Sequence, residues 1–220
     1  MKLLRETIRK LLIREVACAG ATAKIQQGLD EIEKRNLHVH VMPENGGFDW
    51  GYVVLLKDSD NKTVGQFEAA TSPECASFVT QWTEVDSSLR NTGIGPVLYD
   101  VAVEFATEMG QYLACDRGTV SLEARKMWEY YNFSDDYEAF QMDTRDGDFT
   151  PDDPDDDCRQ GIFYSVSRRK SSEKRFRVAS MGDPNFENEF LTSPFTKAYA
   201  KKVITTIPCL GGRFVKGEDW

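Results

Sequence analysis

The chain has 220 residues, 40% of them hydrophobic and 11% aromatic, and a formal net charge of −9 at pH 7. That size allows one good core, or a core with a small accessory region. The negative balance argues against broad nucleic-acid binding, which needs a basic footprint, and no apolar run approaches the length of a membrane span.

Residues 2–35 read as helix, because Leu4, Ile8, Leu11 and Leu12, and later Ile25, Leu29 and Ile32, recur at spacings of three and four. Gly20, between Ala19 and Ala21, is a candidate break. The basic stretch 1–16 is either an amphipathic helix packed on its own domain or a docking element for a partner. Charges interrupt it too often for a secretory h-region, so a cytoplasmic location is expected. Cys18, Cys75, Cys115, Cys158 and Cys209 are odd in number and widely spaced, with no C-x-x-C pair. They are expected to be free thiols.

Four strands are expected next, at 37–42, 51–56, 63–69 and 76–85. Polar turns at 43–47 and 58–62 separate the first three, and short loops imply an antiparallel meander. His38 and His40 share one strand face, but a pair of histidines with no third ligand nearby does not define a metal site, and no metal is expected.

After the fourth strand comes Arg90-Asn91-Thr92-Gly93-Ile94-Gly95, then an apolar helix over 94–109 ended by Gly110. Strand, glycine turn and helix together present bare backbone N–H groups to an anion. Pro96 suits the first helical turn, where its missing N–H costs nothing. There is no G-x-x-x-x-G-K-[ST] loop. Nor is there a G-x-G-x-x-G with an acidic residue about 20 positions on. A strand at 111–115 and a helix at 121–131 follow. The strand–helix–strand connection favours parallel pairing beside 76–85.

Residues 143–157 hold eight aspartates and read as a solvated loop. They lack the D-x-D-x-D-G order and distal Glu of a calcium loop. Strands at 161–167 and 176–180 would flank a basic tip at 168–177, facing either the acidic loop or a polyanionic or acidic partner. The tail leads into a helical stretch ending near Cys209, stopped by Gly211 and Gly212, with Lys197, Lys201 and Lys202 along one side. This divides the chain into a helical segment 1–36, a domain 37–180 and an extension 181–220.

Val85-Asp86-Ser87-Ser88-Leu89, followed by RNTGIG and Pro96-Val97-Leu98-Tyr99, resembles the acetyl-CoA signature of the GNAT superfamily of N-acetyltransferases. Residues 121–133, SLEARKMWEYYNF, resemble that family's N-x-x-A-x-x-x-Y-x-x-x-G-F helix. Together the matches cover about residues 50–135. The stretch from Cys115 to Ser121, with its A-x-x-x-W helix, also resembles a divergent branch found in tailed-phage genomes. The resemblance implies an α/β fold: a mixed, mostly antiparallel sheet with splayed parallel central strands, flanked by helices, here with an N-terminal helix and a C-terminal extension added. It implies acetyl-CoA as cosubstrate and transfer of its acetyl group to an amine, on a small molecule or a protein. Arg90, Asn91, Thr92, Gly93, Ile94 and Gly95 would wrap the pyrophosphate of coenzyme A. Backbone groups at Thr83 and Val85 would bind the pantetheine arm, and Trp128 would lie on the coenzyme's helix.

Trp128 stands where the family has its tyrosine acid, and an indole cannot donate a proton in that role. Ser121 replaces the family's Asn, and Asn132 its Gly. Tyr131, three residues from Trp128, is the neighbouring hydroxyl. Glu84 and Asp86 at the strand end, and Asp116 at the exit of the next strand, are the candidate bases. Two functions therefore stand at this stage: an amine acetyltransferase, or a catalytically degenerate interaction protein such as a phage virion component. In the second, residues 1–16 and 211–220 would contact another protein or another copy of the chain.

Overall fold

A computed structural model describes residues 18, 21–46, 49–72, 75, 77–116, 120–141 and 193–217. The expectations for the acidic loop, the basic tip, the strands at 161–167 and 176–180, and segment 1–16 lie outside these residues, as do the last three positions of 211–220.

Helix α1 spans Ala23–Lys34. It starts at Thr22, whose hydroxyl accepts from the Ile25 N–H and supplies one partner that a helix end lacks. Its stripe Ile25, Leu29 and Ile32 is buried, as the spacing requires. Within the described part, the expected helix over 2–35 is realised at Cys18 and again over Ala23–Lys34, with a break at Ala21 and Thr22. Asn36, at φ +53, turns the chain into the sheet.

Strands β1 (His38–Gly46), β2 (Asp49–Lys57), β3 (Thr63–Thr71) and β4 (Phe78–Val85) form the antiparallel meander. The β2–β3 turn is held by Asp58, whose carboxylate accepts from the N–H groups of Asp60 and Lys62. Helix α2 (Ile94–Glu108) then crosses to β5 (Leu113–Ala114), which pairs parallel with β4. Helix α3 (Leu122–Phe133) leads to β6 (Tyr137–Gln141), a strand that the sequence reading missed. The last described segment carries β7 (Lys197–Lys201), α4 (Thr206–Leu210) and β8 (Phe214–Lys216). The eight strands lie in the order β6-β7-β5-β4-β3-β2-β1-β8.

The fold is therefore a mixed, mostly antiparallel α/β sheet flanked by helices. One inner sheet face is covered: Val39, Val41, Tyr52, Val54, Leu56 and Phe67 share a single core with side chains of all four described helices. The early helix lies ahead of the first strand, and the place beyond β1 is taken by β8, which pairs with it in parallel.

Two expectations are corrected. The stretch after residue 200 does not run as helix to Cys209. Lys201 closes strand β7, and only Thr206–Leu210 is helical, ended by Gly211 at φ +53. The reason is tertiary: β7 fills the slot between β5 and β6, so its backbone must pair on both sides. Strand alternation then turns Lys201 inward, to 8% exposure, while Lys202 stays outside. The second correction concerns the thiols. Cys18 and Cys209, 191 residues apart, are joined in a disulfide with Cα atoms 5.2 Å apart, and Cys75 is also disulfide-bonded. Packing of α1 and α4 against α2 brings the first pair together, which no local spacing could reveal.

Candidate functional site

The site begins at the N-terminus of α2. Gly93 caps the helix in the left-handed region at φ +88, and Asn91 precedes it at φ +63. No side chain caps the helix, and its first turn carries no acidic residue. The Ile94 and Gly95 N–H groups stand where a helix offers no acceptor of its own, and the third position is Pro96, which has no N–H. Among the described residues the space in front of this turn is open, since a Cβ built on Gly95 meets none of them within 4 Å. Two donors, a helix dipole and an unobstructed approach suit an anion.

The two glycines of the turn differ. A Cβ on Gly93 would fall 2.8 Å from the Gly28 nitrogen and 3.1 Å from the Lys24 carbonyl oxygen, both on α1. A Cβ on Gly28 would fall 2.3 Å from the Gly93 carbonyl oxygen. Gly93 and Gly28 thus form the contact through which α1 seats on α2. The sequence reading missed this partner, because Gly28 reads only as a weak point in a helix.

Beside the turn, β4 and β5 part. They pair only at Phe78↔Leu113 and Val79↔Ala114, whereas β4 stays paired with β3 as far as Val85↔Gly65. The register slips once, so that Trp82 opposes Glu68, Thr80 opposes Ala69, and Gln81 is left as a bulge. Beyond the bulge, Thr83 and Val85 point to the inner side and are half-buried, while Trp82 and Glu84 point outward. The Val85 carbonyl accepts from Arg90 Nε at 3.2 Å, folding the arginine back over the strand end. The Thr92 hydroxyl donates to the Leu89 carbonyl at 2.6 Å, bracing the turn. Ile94 is fully buried and pins the helix start to the core.

Tyr99, one turn into α2, is the residue that sequence reasoning passed over. It is 7% exposed, with its ring edge-on to Phe67 at 5.0 Å and to Trp128 at 5.8 Å. Its pKa is pushed up to about 12, by burial first; the Thr83 hydroxyl works against the rise, while Cys115 and Asp116 add to it. Those influences mark the neighbourhood: Thr83 from β4, Tyr99 from α2 and half-buried Asp116 beyond β5. Tyr99 sits four positions after Gly95, on the same helix face. That offset was the available signal.

Trp128 is 1% exposed and packs among Tyr99, Tyr131 and Tyr199. Tyr131 is equally buried, its ring 4.4 Å from that of Tyr137. Its hydroxyl has no hydrogen-bond partner among the described residues, and burial holds its pKa well above the usual tyrosine value. The candidate residues therefore fall in three places. Thr83, Val85, Asp116 and the turn residues gather around the parted strands. Trp128 and Tyr131 belong to the aromatic core. Glu84 is exposed on the outer sheet face.

A second polar cluster lies further along α2. Asp100 and Glu104 are fully buried. Lys201 Nζ lies 2.5 Å from Asp100 and 2.9 Å from Glu104. The Tyr137 and Thr206 hydroxyls both donate to Asp100. Glu104 accepts from the N–H groups of Thr205, Thr206 and Ile207 at 2.6–2.7 Å, and so caps α4. Burial works against the charge on Lys201, but the two carboxylates outweigh it and raise its pKa. With every group paired, the cluster anchors the last segment to α2.

Among the described residues there is no group of three or more His, Cys, Asp or Glu that could hold a metal ion. No described helix is long and apolar enough to cross a membrane. No family model and no curated protein matches the chain. Among solved structures, it is similar to an acetyltransferase of the GNAT family from Staphylococcus aureus Mu50. That match has 14% sequence identity, covers 83% of this chain and 81% of the other, and has a TM-score of 0.32.

Proposed function

We propose that the chain binds acetyl-CoA and transfers the acetyl group to an amine, carried by a small molecule or a protein. The observation that carries this reading is the uncapped N-terminus of α2 at the mouth of the gap between β4 and β5. In the open space before Gly95, the N–H groups of Ile94 and Gly95 would hold the coenzyme's pyrophosphate, with Arg90 and Asn91 at its rim. Among the described residues the edge of β4 beyond Val79 is unpaired, which leaves backbone groups near Thr83 for the pantetheine arm. Bound coenzyme supplies the thioester, and the protein contributes proximity, alignment and proton handling. Tyr99 stays protonated through the neutral range and stands beside the gap, so it is the group suited to protonate the departing thiolate, in place of Trp128. Asp116 is the carboxylate on the same side, suited to take a proton from the amine. Glu84, on the outer face, would reach only an acceptor bound there.

Calorimetric titration with acetyl-CoA tests the reading. Wild type is expected to bind, and Gly95→Asp, which places a carboxylate in the open space, is expected to abolish binding while leaving the fold intact. A wild type with no measurable affinity would remove the enzyme reading. The second reading, an interaction module that keeps the fold without the chemistry, in a phage virion or elsewhere, rests on the burial of both Trp128 and Tyr131. It gains ground if coenzyme binds but no acetyl transfer occurs to any amine.

A further inference from the structure

We infer that the outer face of the sheet, across β8, β1, β2 and β3, is a two-fold interface with a second copy of this chain. All described helices share the core of the inner face. On the outer face the registers set side chains in rows across the strands. Met42, Val53 and Glu68 make one row, and Val215, His40, Leu55 and Gln66 the next. Met42 is 42% exposed and Val215 41%, on neighbouring rows of this face. Met42, Val53, Leu55 and Val215 thus form an apolar middle.

Across β1 and β2 the two ends of the face differ in charge, and Glu84 of β4 lies on the same outer face, level with Leu55 and Gln66. Toward one end lie Glu44 and Glu68; at the other, His38 pairs across the strands with Lys57, and His40 is next along. The acidic end sets two carboxylates near each other. Glu68 has its pKa raised by burial and by Glu44, and only the Gln66 amide counters this. His40 has its pKa lowered by burial, Lys57 and His38. Rotation about an axis in the sheet plane and across the strands keeps strand order but reverses row order. It stacks Val53 on the second copy's Leu55 and sets Glu44 over the second copy's His38 and Lys57. Glu68 then falls over the second copy's Gln66 and His40 over its Met42, and the same patch serves both copies, which is the condition for an isologous pair. Strands about 4.8 Å apart and same-face residues about 7 Å apart make this surface roughly 500 Å². Two copies would then cover about 1,000 Å², the level at which a specific interface starts.

Sedimentation equilibrium on the full chain tests this. A dimer is expected at about 100 µM, above the micromolar Kd within reach of such an interface, and it should weaken at high salt. Lys57→Glu and Glu44→Lys should each raise Kd about tenfold by setting like charges together, and the combined variant should return it close to wild type. Leu55→Glu should give a monomer with an unchanged circular dichroism spectrum. Should Leu55→Glu unfold the chain, the two surface reversals carry the test alone. A monomeric wild type, a dimer indifferent to the reversals, or a combined variant no tighter than the singles would each overturn the inference.

Discussion

The two glycines of the α2 turn should respond in opposite ways to a single added methyl group. At Gly95 the new Cβ of alanine meets open space, in the first turn of a helix. Replacing a glycine there is expected to stabilise the fold by about 0.5–1 kcal/mol, because the unfolded chain loses freedom. At Gly93 the backbone sits at φ +88, which costs an L-residue about 1–2 kcal/mol. The Cβ would also lie 2.8 Å from the Gly28 nitrogen, so α1 must shift, which adds about 1–3 kcal/mol. Gly93→Ala should therefore fall about 3–5 kcal/mol below Gly95→Ala in urea unfolding followed by circular dichroism. Gly28→Ala, with its Cβ 2.3 Å from the Gly93 carbonyl oxygen, should mimic Gly93→Ala. Binding separates the pair again: Gly95→Ala crowds the open approach and should weaken acetyl-CoA despite a sounder fold. Equal stability of the two alanine variants would refute the seating of α1 on Gly93.

Tyr99→Phe keeps the ring against Phe67 and Trp128, so stability should change by less than about 1 kcal/mol, whereas kcat for acetyl transfer should fall at least about 100-fold with KM little changed. Unaltered kcat in steady-state assays would assign the proton to another group. Asp100→Ala strips Lys201 of one carboxylate and leaves two hydroxyls unpaired inside the core, so denaturant titration should show a loss of about 3–5 kcal/mol. Lys201 has a folded pKa above its usual 10.5, so its contribution is fully present below that value and drains away as pH rises through the folded one. Unfolding curves taken from pH 8 to about 12 should thus stay level to about pH 10.5 and fall above it in wild type, a loss that Lys201→Met lacks. Reduction of the Cys18–Cys209 link, or Cys209→Ser, should lower stability by about 2–5 kcal/mol, because the bond closes a very long loop.

What the sequence determined by itself was local. The stripe Ile25, Leu29 and Ile32, the four strands of the meander, and the strand–glycine–helix turn at Arg90–Gly95 could all be read from spacing. Their physics is contained within a few residues: helical or strand period, turn chemistry, orphan N–H groups at a helix start. The parallel pairing of β4 and β5 was also legible, because one crossover helix leaves little choice of topology.

Only the tertiary structure decided the rest. It selected Gly93 as a packing glycine and left Gly95 as the open one, through a helix 65 positions earlier that reads as unremarkable around Gly28. It brought Tyr99 to the gap and sent Trp128 and Tyr131 into the core, a choice made by which face of each helix the sheet covers. It buried Asp100 and Glu104 against Lys201, the Asp100 pair spanning 101 residues, charges that look in sequence like ordinary surface charge. It also joined Cys18 to Cys209 and set β8 beside β1. Each of these depends on a partner distant in the chain. A residue's type and spacing specify what it can bond, but the energy that selects one distant partner comes from collapse of the whole core.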